Sequence, residues 1–137
     1  MLRNLLATFL GLVVGMAWNG ALIELNSSVL FPMPEGMDPG DLEAFQAYLD
    51  TLPATAFLVV MAAHLGQAGL GGWVAARLSG SRPVRQALVV GAISMIGGLM
   101  MLFLVDGPVW MWVEVPLYLV LAWLAGRAVE RSRSPRS

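Results

Sequence analysis

Four long apolar stretches divide the chain, and short polar segments separate them. A membrane-spanning helix needs roughly 20 mostly apolar residues, and the strict alternation of barrel strands is absent here. The first stretch continues to Leu30, too far for a cleaved signal peptide, so we expect it to remain as a span. We predict an all-α, four-helix transmembrane bundle forming a single integral membrane domain over residues 1–137. Its spans are predicted at about 5–30, 56–76, 87–105 and 108–128.

The connection between the first two spans carries a helical pattern of its own. The segment Asp38-Pro39-Gly40-Asp41 resembles a helix start, because acidic caps and a first-turn proline favour a helix N-terminus. Apolar side chains then recur at helical spacing, at Leu42, Phe45, Leu49 and Leu52. We predict a short amphipathic helix over about 41–52, lying across the outer mouth of the bundle as a surface helix or a substrate gate.

The charged residues indicate the orientation of the predicted spans. All eight basic residues fall on one side: Arg3, Arg77, Arg82, Arg85, Arg127, Arg131, Arg133 and Arg136. Six acids fall on the other side: Glu35, Asp38, Asp41, Glu43, Asp50 and Asp106. Because arginine and lysine are enriched in cytoplasmic loops, we predict that both termini are cytoplasmic in a multi-pass protein of the bacterial inner (plasma) membrane.

Composition excludes several classes of protein. The chain is 58% hydrophobic and only 12% charged, against roughly 25% charged residues in soluble domains. The absence of cysteine excludes a disulfide scaffold, and a net charge of −1 gives no reason to expect a nucleic-acid partner. The predicted partners are the lipid bilayer and further copies of the chain, because four short helices enclose little interior. No cofactor is predicted.

Each predicted span carries a row of small residues that would let helix backbones approach closely in lipid. The rows are Gly11 and Gly15 with Asn19; Ala68, Gly72 and Ala76 next to His64; Ala87, Gly91, Ser94 and Gly98; and Ala122 with Gly126. We interpret these glycines as packing positions and not as a phosphate-binding fingerprint, because no strand precedes them.

The turn between the second and third predicted spans has a recognisable pattern. Residues 71–83 read Gly-Gly-Trp-Val-Ala-Ala-Arg-Leu-Ser-Gly-Ser-Arg-Pro, and Gly91 follows in the next helix. This pattern resembles small bacterial four-span inner-membrane proteins, a group that is itself largely uncharacterised. The resemblance covers about two spans. It implies the four-span topology and a bacterial inner membrane, and it carries over no activity and no functional residues.

Three ionisable side chains lie inside the predicted spans: Glu24, His64 and Glu114. At about 1.5 Å of rise per residue, each lies roughly 9–13 Å from the outer end of its span, which places them in one layer. Three polar companions lie about one helical turn deeper: Asn19, Gln67 and Tyr118. Ionisable residues are costly inside a membrane and are therefore candidates for function.

The fourth predicted span also contains a proline. A proline inside a helix removes one backbone hydrogen bond, and Pro116 would free the carbonyl of Trp112. We therefore expect a kink beside Glu114. Broken helices of this kind occur at the polar sites of transporters, although a kink without function gives the same pattern.

Three interpretations of the ionisable layer remain open. It is a structural hydrogen-bond network, a site for a proton or cation in which a histidine exchanges protons near neutral pH, or a metal site with His64, Glu24 and Glu114 as ligands. We favour a non-enzymatic binding or transport-type protein for a small ligand or ion that enters from the outer side. The alternatives are an accessory subunit of a larger membrane complex and a metal-dependent intramembrane enzyme, although no His-Glu-x-x-His spacing occurs.

Overall fold

The computed structural model describes residues 1–133, and in this part of the chain it is helical and has no strand. The helices are α1 (Leu2–Leu25), which continues as a π-helical turn (Asn26–Leu30), α2 (Leu42–Leu49), α3 (Ala54–Leu78), α4 (Pro83–Leu104) and α5 (Glu114–Arg133), which follows a 3-10 turn (Val109–Val113). Four stretches are long and apolar enough to cross a membrane: Leu2–Leu30, Ala54–Leu78, Pro83–Leu104 and Val109–Arg133. The four-span prediction is confirmed at this level, with helices that mostly extend a few residues beyond the predicted bounds.

Helix α3 lies at the centre of the bundle. It packs against α1, α4 and α5, and α4 also packs along α5, whereas α1 touches α4 only lightly. Successive spans run in opposite directions, so the N-terminal end of α1 meets the C-terminal end of α3. We call that end of the bundle, which carries Arg3, Arg77, Arg82, Arg85, Arg127, Arg131 and Arg133, the arginine end. The opposite end, with the six acids named above, is the acidic end. Arg136 lies outside the described residues.

Arginines from other helices complete the C-terminus of α3. The last carbonyls of a helix have no partner within it, and a cation near them is favourable because the helix dipole is negative there. Arg133 Nη2 donates to the carbonyls of Ala76 at 2.9 Å, Arg77 at 2.7 Å and Ser79 at 3.1 Å. Arg3 Nε donates to the carbonyl of Leu78 at 3.0 Å. The positive charges at this end therefore have a direct structural role.

The predicted rows of small residues are buried between the helices, which confirms their interpretation as packing positions. A Cβ atom added at Gly11 would lie 2.5 Å from the carbonyl oxygen of Gly71 and 2.7 Å from the Cβ atom of Ala75. On the other side of α3, a Cβ atom added at Gly91 would lie 2.5 Å from the Cβ atom of Ala122. The backbones of α1 and α3, and of α4 and α5, are therefore close enough that only glycine fits.

Helix α2 lies in the connection between the first two spans and differs in detail from the helix predicted there. Its N-cap is Asp41, whose Oδ1 accepts from the backbone N–H of Glu43 at 3.1 Å and of Ala44 at 3.2 Å. Asp38 instead accepts from the N–H of Gly40 at 2.8 Å in the turn before the helix. The helix ends at Leu49, before the predicted end at residue 52.

The close approach of α1 and α3 generates a first prediction. Gly11→Ala should lower the free energy of unfolding by roughly 1–3 kcal/mol, because the added methyl group overpacks against a backbone carbonyl. Gly20→Ala is the matched control on the same helix, since its Cβ atom would meet nothing within 4 Å. It should be neutral or slightly stabilising, as alanine favours helix. Thermal unfolding of both variants in lipid nanodiscs measures the difference, and equal melting temperatures would contradict the contact.

Candidate functional site

A buried carboxylate pairs with the histidine of α3. Glu114 is 0% exposed, and its Oε1 and Oε2 lie 3.1 Å and 3.3 Å from His64 Nδ1. The hydroxyl of Tyr118, one turn further along α5, donates to Glu114 Oε1 at 3.4 Å. The rings of His64 and Tyr118 are stacked, with centroids 6.4 Å apart. The structure therefore brings together three of the six predicted site residues.

The start of α5 places Glu114, and here the expected kink is wrong. Residues Val109–Val113 form a 3-10 turn and the α-helix begins at Glu114, so Pro116 lies in the first helical turn. The N–H groups of a first turn have no helical partner, so a proline there breaks no hydrogen bond. The carbonyl of Trp112 is not freed, because it accepts from the N–H of Glu114. Glu114 itself lies at the helix N-terminus, where the helix dipole favours a negative charge.

The other polar companions form a separate network across three helices. Asn19 Nδ2 on α1 donates to Gln67 Oε1 on α3 at 2.5 Å, and Gln67 Nε2 donates to Ser94 Oγ on α4 at 3.3 Å. Towards the arginine end, Thr8 Oγ1 donates to Gln86 Oε1 at 2.9 Å. These bonds join α1, α3 and α4 in their lipid-spanning parts. The polar residues thus form two networks rather than one layer.

Glu24 stays apart from the other two ionisable residues. Its side chain is exposed, and Glu24 Oε1 accepts from Ser28 Oγ on the same helix. The face of α1 that contacts α3 carries Gly15 and Asn19, and five helical residues beyond Asn19 correspond to a rotation of about 140°. Within residues 1–133, no three acidic, histidine or cysteine side chains are grouped closely enough to hold a metal ion. The set His64, Glu24 and Glu114 is therefore not assembled as a metal centre.

A cavity of about 510 Å³ lies between α1, α3 and α4 at the acidic end, beneath α2. Its wall is mainly apolar, with Phe57 and Val60 from α3 and Met101 and Leu102 from α4. The polar side chains that line it are Asn19, Glu24, Asn26, Ser27, Tyr48 and His64. Glu114 does not line the cavity and lies behind the ring of His64. Two predicted site residues that do not touch, Glu24 and His64, therefore share one cavity wall.

Helix α2 forms the roof of the cavity and is fixed on two sides. The hydroxyl of Tyr48 donates to the carbonyl of Phe31, and burial raises the pKa of this phenol, so the hydroxyl keeps its proton at neutral pH. On the other side, Gln46 Nε2 donates to the carbonyl of Asp106 at 3.0 Å, and Gln46 Oε1 accepts from the N–H of Asp106 at 2.9 Å. The apolar face of α2, with Phe45, Leu49 and Leu52, lines the cavity.

Sequence analysis missed one residue of the cavity. Asn26 is 6% exposed, and its Oδ1 is buried without a hydrogen-bond partner among residues 1–133. Buried polar atoms are normally paired, so an unpaired one in a cavity wall calls for a partner from outside the protein. The available signal was an amide side chain two residues after Glu24, within an otherwise apolar stretch.

The second ring nitrogen of His64 is also available. Nδ1 faces Glu114 and carries the proton when that carboxylate is ionised, because a carboxylate only accepts hydrogen bonds. Nε2 of the neutral ring is then an acceptor, and it has no hydrogen-bond partner in the described part of the chain. Glu114 thus fixes both the orientation of the ring and the nitrogen that remains free.

Comparison with family models, curated proteins and solved structures gives no match for this chain. The resemblance to small bacterial four-span membrane proteins therefore stays a prediction. The functional argument depends on the site itself.

The contact between His64 and Glu114 generates a second prediction. In a double-mutant cycle of His64→Phe and Glu114→Met, we expect a coupling energy of about 0.6–2 kcal/mol, the range for polar contacts between membrane helices. Either single variant should be the more costly step, since it leaves a buried polar group without its partner.

The same cycle with Glu24→Met in place of Glu114→Met is the matched control. Glu24 contacts Ser28 and not His64, so its coupling energy with His64→Phe should be close to zero. Unfolding in mixed detergent micelles supplies the free energies. A coupling energy for Glu24 as large as that for Glu114 would refute the separation of the two carboxylates.

Proposed function

We propose that this membrane protein binds a small, largely apolar ligand in the cavity beneath α2, as a binding or transport-type protein. The observation that carries the proposal is the cavity itself. It has a volume of about 510 Å³, within the roughly 300–1,000 Å³ of small-molecule sites. Such sites are mainly apolar and contain a few convergent polar groups, and this cavity has that composition.

The histidine in the cavity wall gives the site its chemistry. Glu114 holds the ring of His64 from behind and leaves Nε2 for a ligand or a proton. Because histidine changes charge near neutral pH, loading of the cavity and protonation of His64 can be linked. This arrangement supports the proton- or cation-linked interpretation of the polar residues more directly than the metal interpretation.

We further propose the orientation and the setting of the protein. The arginines at one end and the acids at the other support cytoplasmic termini in a bacterial inner membrane, by the positive-inside rule. The acidic end, with α2 and the mouth of the cavity, then faces outwards, and the ligand enters from that side. A homo-oligomer is part of the same proposal, because one copy encloses little interior.

A cavity-filling substitution tests ligand binding. Val60→Trp places a large ring in the cavity, whereas Leu58→Trp adds the same ring to a lipid-exposed position of α3. The probe is a decanol derivative that carries a diazirine, added to the protein in nanodiscs and activated by light. In the unchanged protein we expect labelling of peptides from α2 and the first half of α3.

Val60→Trp should reduce this labelling about tenfold or more, since the probe's volume is taken, while Leu58→Trp should leave it unchanged. Mass spectrometry of the labelled peptides measures both. Equal labelling of the two variants would show that the probe marks the lipid-facing surface, and the polar groups would then be a structural network, as in the accessory-subunit alternative.

The orientation is tested with single cysteines, because the chain contains no cysteine of its own. Glu35→Cys lies at the acidic end and Ser81→Cys at the arginine end, and both positions are exposed. A maleimide that does not cross membranes should label Glu35→Cys in intact cells and Ser81→Cys only after the cells are opened. The reverse order would overturn the proposed orientation.

A further inference from the structure

We infer that the cavity takes an amphipathic organic ammonium ion, with its N–H groups at Asn26 and Glu24 and its apolar body against α3, α4 and the roof formed by α2. The inference rests on the proposed function and goes further, because it names the chemical class of the ligand. Three independent features lead to it: the unpaired acceptors in the wall, the internal use of the hydroxyl donors, and the distribution of charge.

The wall offers unpaired hydrogen-bond acceptors. Asn26 Oδ1 is buried and has no partner in the described part of the chain, and His64 Nε2 remains free while Nδ1 faces Glu114. Glu24 uses Oε1 to accept from Ser28, so its other carboxylate oxygen is available. A ligand that satisfies these atoms must bring donors.

The hydroxyl donors of the wall are already occupied. Ser27 Oγ donates to the carbonyl of Ile23 at 2.9 Å, and the Tyr48 hydroxyl donates to the carbonyl of Phe31. A ligand rich in acceptors, such as a carboxylate or a phosphate, would therefore find few hydrogen bonds here. An ammonium group supplies up to three N–H donors from a single atom.

Charge points in the same direction. Among residues 1–133, no lysine or arginine lines the cavity, whereas the carboxylate of Glu24 does. The six acids of the loops lie at this end, and the described arginines named above lie at the other. A cleft with charges of one sign and low-dielectric walls raises the local concentration of the opposite ion. The rings of Phe45, Tyr48 and Phe57 also line the cavity, and aromatic rings attract cations.

The apolar remainder of the wall requires the ligand to have an apolar body. Residues of α2, α3 and α4 supply Leu49, Leu52, Val60, Met101 and Met111. A small hydrophilic cation would leave these side chains uncovered and would lose its own hydration. An alkyl or aryl ammonium covers them and places its charge at the polar wall, so it matches both parts of the cavity.

The test is a competition in which the diazirine decanol is displaced by unlabelled compounds with the same ten-carbon chain. Decylammonium, decanol and decanoate differ only in the head group, and their concentrations in the nanodisc lipid are measured and used for comparison. Decylammonium should displace the probe at about one tenth of the decanol concentration, and decanoate should be weaker than decanol. Tenfold is the effect of about one hydrogen bond to a charged group.

Asn26→Leu separates a ligand role from a structural role. Replacing an unpaired buried amide by an apolar side chain of similar size should leave the melting temperature unchanged or raise it. If Asn26 meets the ammonium, this variant should lose most of the tenfold preference for decylammonium and keep its affinity for decanol. Ser28→Ala is the control, because it removes only the internal partner of Glu24 Oε1 and should retain the preference.

The possible outcomes distinguish the inference from the proposed function. If decanol and decylammonium compete equally, or if Asn26→Leu keeps the full preference, the ligand class is wrong while the cavity remains a binding site. If decanoate is the strongest competitor, the charge argument is overturned. If none of the compounds reduces labelling of α2 and α3, the proposed binding function fails, and the inference fails with it.

Discussion

Helix α3 must lie in close contact with three other helices, and the rest of the bundle depends on this constraint. Lipid provides no hydrophobic force that would press the helices together, so dispersion contacts and polar bonds must hold them. Gly71 meets α1, and Gly72 lies close to Ala87 of α4 and Ala122 of α5. Because the small residues surround α3 rather than lying in one stripe, α3 can contact neighbours on several sides. A larger side chain at any of these positions would displace a whole helix.

The polar side chains follow from the same arrangement. His64 and Gln67 lie about one turn apart on α3, and they bond to α5 on one side and to α1 and α4 on the other. The small residues of α1 and α4 that meet other helices extend only as far as Gly15 and Gly98. Beyond them the two helices carry Ile23, Met101 and Leu102, and the space left between these larger residues is the cavity. Close packing at one end thus defines an opening at the other, which α2 covers.

Hydrophobic runs and charge positions were enough to predict the spans, because both depend on residue type along the chain. The polar site could be predicted only in part, because it depends on the rotation of each helix about its axis. His64 and Glu114 meet as expected at similar depth, whereas Glu24 has the right depth and the wrong face of α1. Pro116 was assigned to a helix interior because the 3-10 turn before Glu114 has no clear sequence signal. Asn26 was overlooked because a single amide near a span end is common and its unpaired oxygen is visible only in three dimensions.

The arginine that completes α3 has a consequence for biosynthesis. Arg133 is made after α3 and α4 have left the ribosome, so the terminal carbonyls of α3 must find other donors while the chain is still growing. Water and lipid head groups at the membrane surface can serve, which keeps this end of α3 at the interface until α5 arrives. Docking of the last helix then exchanges those temporary partners for a guanidinium that reaches three carbonyl groups at once. The final step of assembly therefore both adds a helix and finishes the central one.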